Sequence, residues 1–126
     1  MKNITQVLSF VLLLTGLLVH LNASAQEQFD AYVQEQCIEP IPPIVPDGNI
    51  ASKDEIVGAS KALKAFQSEL GKYRACLTSQ SLSIRSDDNA AVEKKAELLK
   101  RYNASVDTET LAAEEFNSAL RTYNKK

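Results

Sequence analysis

The chain has 126 residues, a formal net charge of −2, 24% charged and 6% aromatic residues, and no tryptophan. That length fits one domain of ordinary size and is too short for two full cores. Mild net acidity without a basic block argues against nucleic acid as a partner, because clustered Lys and Arg are what displace counterions from phosphates.

Residues 1–25 read as a secretory signal peptide: Lys2 supplies the positive start, Val7 to Val19 is an apolar run, and Ala23-Ser24-Ala25 offers small residues where a signal peptidase cuts. The alternative is an uncleaved anchor over Ile4 to Leu21, but Thr5, Gln6, Ser9, Thr15 and Gly16 interrupt that stretch. Cleavage leaves a chain from Gln26 with no expected membrane span, in the periplasm or secreted. A lipid-attachment site would need a cysteine just behind the apolar run, whereas the first one, Cys37, follows Glu35-Gln36 well beyond it. Cleavage also removes the only histidine, His20. A chain without histidine has no Ser-His-Asp or Cys-His nucleophile, no His-ligated zinc and no side chain that ordinarily titrates near neutrality.

Residues 26–51 form an N-terminal segment and a proline-rich arm. Phe29, Tyr32 and Val33 recur three or four apart, as on one face of a short helix. Cys37 to Gly48 then holds all four prolines, Pro40, Pro42, Pro43 and Pro46, which fix φ and remove backbone donors. Polyproline II geometry follows, with Asp47-Gly48 turning the chain. The interleaved Ile38, Ile41, Ile44 and Val45 look made for packing.

Residues 52–126 read as two helices. Ser52-Lys53-Asp54-Glu55 has the capping-box spacing, with acids in the first turn where the helix dipole favours them. From Lys53, residues Ile56, Ala59, Leu63, Phe66, Leu70, Tyr73 and Leu77 alternate steps of three and four, the seam of a heptad pattern that runs out around 79–83. Gly58 and Gly71 weaken this helix and are expected to mark close approach of another backbone. Ser86 to Asn89 supply caps for a second helix reaching about Tyr123. Its expected seam is Val92, Leu99, Val106, Ala113 and Leu120, with Tyr102, Phe116 and Tyr123 between them and Lys95 and Glu109 as charged interruptions. Lys94-Lys95, Lys100-Arg101 and Lys125-Lys126 read as a solvated face.

The fold expected is all-α: a long antiparallel two-helix hairpin, coiled-coil-like, with the arm pinned to the first helix. Cys37 and Cys76 are the only cysteines, and an even count in an exported chain points to a disulfide. Lengths agree with that pairing. From Ser52 to Cys76 a helix climbs roughly 36 Å, and from Cys37 to Ser52 a polyproline path covers roughly 45 Å.

Cys37-x-x-Pro40, Pro46-Asp47-Gly48, Ala51-Ser52 and Tyr73-x-x-Cys76-Leu77 together resemble a family of small uncharacterised exported proteins of proteobacteria, over the stretch from Cys37 to Leu77. The resemblance implies export and a disulfide between the two cysteines, and brings no activity, cofactor or substrate.

No catalytic, cofactor or metal site stands out. Asp54-Glu55, Asp87-Asp88 and Glu114-Glu115 lack the alternating donors and glycine of a calcium loop, and no glycine-rich phosphate loop or Gly-x-Ser-x-Gly turn occurs. The expectation is a non-enzymatic protein-interaction or structural module of the cell envelope, partnered by a second copy or another envelope protein. The alternative is a periplasmic small-ligand or envelope-surface binding protein with a contact surface at Tyr73, Tyr102 and Tyr123.

Overall fold

The structure, a computed structural model, describes residues 25–126; the expected signal peptide lies outside the described residues apart from Ala25. Among the described residues the protein is all-α, with no strand. Two compact units divide at Gln36 and Cys37. In the first, residues 25–36 are helical (α1); Val33 is buried, Phe29 half-buried and Tyr32 exposed. The second holds α2 (Lys53–Ser83) and α3 (Asn89–Tyr123), which pack on each other, and the proline-rich segment ahead of them.

The start of α2 is set by a complete capping box. The Ser52 hydroxyl accepts from the Glu55 backbone N–H at 3.3 Å, and the Glu55 carboxylate accepts from the Ser52 N–H at 2.7 Å, so two orphan donors of the first turn are satisfied. The buried residues of α2 are Ile56, Ala59, Leu63, Phe66, Leu70, Tyr73 and Leu77, the heptad seam expected from the sequence. The helix gives way at Ser83 to a short extended link, and Asp88 caps α3 by accepting from the Ala91 N–H at 2.8 Å.

The seam of α3 differs from the sequence expectation by one residue. Its buried row is Ala91, Leu98, Ser105, Ala112 and Ala119, with Phe116, whereas Val92, Leu99 and Val106 are 56%, 60% and 41% exposed. Both rows step by seven, and they differ by a helix rotation of about 100°. Bulk decides between them. The α2 row already brings Leu63, Phe66, Leu70, Tyr73 and Leu77, and a close-packed interior sets mostly small residues, Ala91, Ser105, Ala112 and Ala119, against them, with Leu98 and Phe116 as the large exceptions. The one polar residue in the row, Ser105, donates its hydroxyl to the Tyr102 carbonyl at 2.6 Å and so enters the core satisfied.

The proline-rich segment is fixed at both ends. Cys37 and Cys76 form a disulfide, with a Cα to Cα distance of 5.7 Å across a sequence separation of 39. At the other end Asp47 anchors a turn: its carbonyl accepts from the Ala51 N–H at 2.9 Å and its carboxylate from the Asn49 N–H at 2.9 Å. Between them burial repeats every third residue, the period of a polyproline II helix. Cys37 is buried and Pro40, Pro43 and Pro46 are half-buried, while Ile38, Ile41 and Ile44 are 79%, 88% and 94% exposed. The isoleucines expected to pack therefore point out to solvent, whereas Val45, expected to pack with them, is half-buried beside the prolines.

Close backbone approach occurs at Gly48 and not at the two helical glycines. A Cβ at Gly48 would collide with the Ala119 carbonyl oxygen and come within 2.8 Å of Thr122 Cβ, whereas a Cβ at Gly58 or Gly71 meets nothing within 4 Å. Gly48→Ala is therefore expected to destabilise the protein by about 1–3 kcal/mol, and Gly58→Ala and Gly71→Ala to stabilise it by about 0.5–1 kcal/mol. Urea denaturation of the three variants checks both signs. Removing the disulfide as Cys37→Ser with Cys76→Ser is expected to cost about 3–4 kcal/mol by freeing the unfolded chain, read from the same denaturation midpoints.

Candidate functional site

The described residues offer three features worth weighing as sites: a polar cluster around Tyr73, an apolar groove beside Tyr102, and the outer face of α3.

Tyr73 sits where three elements meet. It is 4% exposed on α2, and its phenol is held above its ordinary value of 10 chiefly by burial and then by the negative charge of Glu39 in the proline-rich segment, with Arg101 of α3 opposing the shift. Arg101 in turn pairs with Glu97 at 3.2 Å. A tyrosine with a raised pKa stays protonated at neutral pH, and its side-chain hydrogen bond with Arg101 clasps α2 to α3. A second clasp joins the helices where the sequence placed a charged interruption: Arg74 Nη2 meets Glu109 Oε2 at 2.8 Å, both side chains largely withdrawn from water. The fork is engaged on one prong, since Arg74 Nη1 is buried with no hydrogen-bond partner. Lys95, the other interruption, reaches Asp87 at 3.5 Å on the surface.

The groove lies between the end of α2 and the start of α3. Leu77, Thr78, Ser81 and Leu82 line it from one side and Leu98, Leu99 and Tyr102 from the other, with a volume of about 140 Å3. Ligand pockets usually hold about 300–1,000 Å3. Of the three tyrosines expected to share a contact surface, Tyr102 alone lines it; Tyr73 is buried, and Tyr123 is half-buried with Lys126 Nζ 5.2 Å from its ring centroid. Lys126 also donates to the Ala51 carbonyl at 3.0 Å.

The outer face of α3 carries the row displaced from the core, Val92, Leu99 and Val106, bordered by a shallow depression at Ala96, Asn103 and Ala104. Adjacent heptad rows of apolar character were the signal in the sequence: when two neighbouring rows are both apolar, one is buried and the other is left over.

One acid from each of two acid pairs, Glu55 and Asp88, serves the backbone, as does Asp47. Asp47, Glu55 and Asp88 are each held below the ordinary carboxylate value, first by a backbone N–H, from Asn49, Ser52 and Ala91 respectively, and then by side-chain hydrogen bonds. Among the described residues no three of His, Cys, Asp and Glu gather as metal ligands, and no helix is long and apolar enough to cross a membrane. Comparison with protein families, curated proteins and solved structures finds no match.

These titrations set the pH response. A depressed carboxylate contributes stability that is present above its unfolded value and lost as pH falls, so the urea midpoint is expected to hold down to about pH 5 and drop below about pH 4, more gently in Glu55→Gln. A raised phenol works in reverse: its contribution is complete below 10 and lost as pH climbs through the raised value, and Tyr73→Phe is expected to remove that alkaline loss.

Proposed function

We propose that this chain is an exported helical module of the cell envelope that acts by contact with protein and performs no catalysis. The observation that carries the reading is the apolar outer face of α3: a long helix buries one heptad row and presents Val92, Leu99 and Val106 of a second apolar row to solvent, with Ala113 and Leu120 of that row half-buried. Such a leftover row is the usual mark of a helix awaiting another helix.

Within this reading the protein is an antiparallel two-helix hairpin clasped by an N-terminal proline arm. Support comes from contacts that descend α3 as they ascend α2, Ala51 with Lys126, Arg74 with Glu109 and Leu77 with Leu98. The arm is tied at Cys37 to Cys76 and turned at Asp47, so its two ends lie at the two ends of that stretch of α2. Export, and kinship with the proteobacterial family of Cys-x-x-Pro arm proteins, is supported by the leader-like first residues and by a disulfide of the kind that persists in oxidising compartments. The alternative of a small-ligand binder has less behind it: the groove at Tyr102 is about half the smallest usual ligand pocket, and the depression of about 470 Å3 at Ala96 and Ala104 is lined by α3 alone.

A photo-reactive amino acid at position 99, in the full chain expressed in a bacterial host, tests the reading. The expected result is a covalent adduct to protein in the envelope fraction, with no adduct from the same probe at Lys64 on α2. Labelling of lipid or small molecules alone, or no adduct at all, would overturn it. Binding of a small ligand that is lost in Tyr102→Ala with helicity intact would favour the alternative.

A further inference from the structure

The open face of α3 carries a charge pattern that narrows its occupant. Immediately C-terminal to each residue of the leftover row stands an exposed polar position: Glu93 after Val92, Lys100 after Leu99, Asp107 after Val106, Glu114 after Ala113 and Arg121 after Leu120. All five are charged. They form a row of their own, seven residues apart, along the solvent edge of the apolar one, in the order negative, positive, negative, negative, positive.

This order is close to its own complement when reversed. Two α3 helices laid antiparallel about Asp107 place Lys100 opposite Glu114 and Glu93 opposite Arg121, each twice by symmetry, with one like pair, Asp107 against Asp107, on the axis. Laid parallel about a two-fold axis, the two charged rows fall on opposite sides of the contact and do not meet, so only the antiparallel pair brings these charges together. The apolar row obeys the same symmetry within one residue: exposed Leu99 comes opposite half-buried Ala113, exposed Val92 opposite half-buried Leu120, and Val106 meets its twin. Large residues thus face small ones at Leu99 and Ala113, and the depression at Ala96 and Ala104 leaves room for a second backbone.

We infer that the occupant of this face is a second copy of the same chain, held antiparallel through α3 about a two-fold axis at Val106 and Asp107. The inference rests on the reading above of a protein-contact module and names its partner. A two-fold contact of this kind is self-complementary and closes at two copies. From Val92 to Leu120 the row runs roughly 40 Å and the helix is about 10 Å wide, so each copy commits at most about 400 Å2. The total, about 800 Å2, lies below the range of stable specific interfaces and in that of weak, transient ones. The dimer is therefore one that dissociates on dilution, not a permanent one.

Sedimentation equilibrium of the exported protein, purified with its disulfide intact and run from micromolar to millimolar, tests the inference, with circular dichroism as the check on folding. A monomer-dimer equilibrium is expected. Leu99→Glu, at an exposed position, is expected to weaken it by about 10-fold or more at unchanged helicity, since it sets a charge into the apolar row twice per dimer. Lys100→Glu is expected to weaken it about 3-fold or more, Lys100→Glu with Glu114→Lys to restore it, and Asp107→Asn to tighten it by removing the axial repulsion. A monomer at every concentration would overturn the inference, as would a dimer indifferent to Leu99→Glu. Failure of the charge exchange to restore association would overturn the antiparallel register. The photo-adduct at position 99 separates the two levels: an adduct of twice the chain mass supports self-pairing, an adduct with a different protein overturns self-pairing while leaving the contact-module reading standing, and no protein adduct overturns both.

Discussion

The constraint on which the rest depends is the bond between Cys37 and Cys76. Two helices with one buried row each enclose little apolar volume, and a chain of this size is marginal on such a core alone. The disulfide adds a third element at no cost in core residues. It ties one end of a short extended segment to α2, while the turn at Asp47 and the capping box at Ser52 fix the other. A segment held at both ends loses most of its freedom before any of its side chains pack, which is why it needs only three half-buried prolines and a glycine to seat it. The contact at Gly48 is closer than any side chain would allow, and Tyr73 carries the tie on from α2 to Arg101 of α3.

How much of this was legible in the sequence divides by element. The whole of α2, its cap, its seven buried residues and its end, was readable because a capping box, an uninterrupted three-four spacing and the absence of proline all agree. The disulfide was readable from cysteine count and chain lengths. In α3 the period was readable and the phase was not. Two apolar rows stand side by side, and a rule that buries the bulkier one selects Val92, Leu99 and Val106. The decision belongs to α2, whose large residues reserve the space and admit alanines and a serine opposite. Phase is thus a property of the pair of helices, and no reading of α3 by itself contains it.

The candidate site shares that history. Its residues were singled out as core and become surface once the phase is corrected, so the functional reading is a consequence of the packing. The tyrosines illustrate the converse. Tyr73, Tyr102 and Tyr123 are expected from the sequence on one contact surface, yet Tyr73 is buried in a clasp, Tyr102 edges a small groove and Tyr123 lies beside Lys126. Shared residue type on two helices carries no promise of shared surroundings.

The three-residue repeat of the proline-rich segment has a bearing on how safely this chain folds. Ile38, Ile41 and Ile44, followed by Val45, would in most contexts be a hazard: an exposed, β-branched stretch of low charge is the kind that recruits neighbouring chains into cross-β stacks. Here Pro40, Pro42, Pro43 and Pro46 break that stretch, so from Pro40 to Pro46 no more than two consecutive amide donors exist for a foreign strand to pair with. The same prolines that turn inward to seat the segment act as gatekeepers for the isoleucines that turn outward. Greasiness is thereby displayed on a backbone that is barred from zippering, and three isoleucines nearly bare to water coexist with a chain protected against strand-to-strand aggregation along that segment.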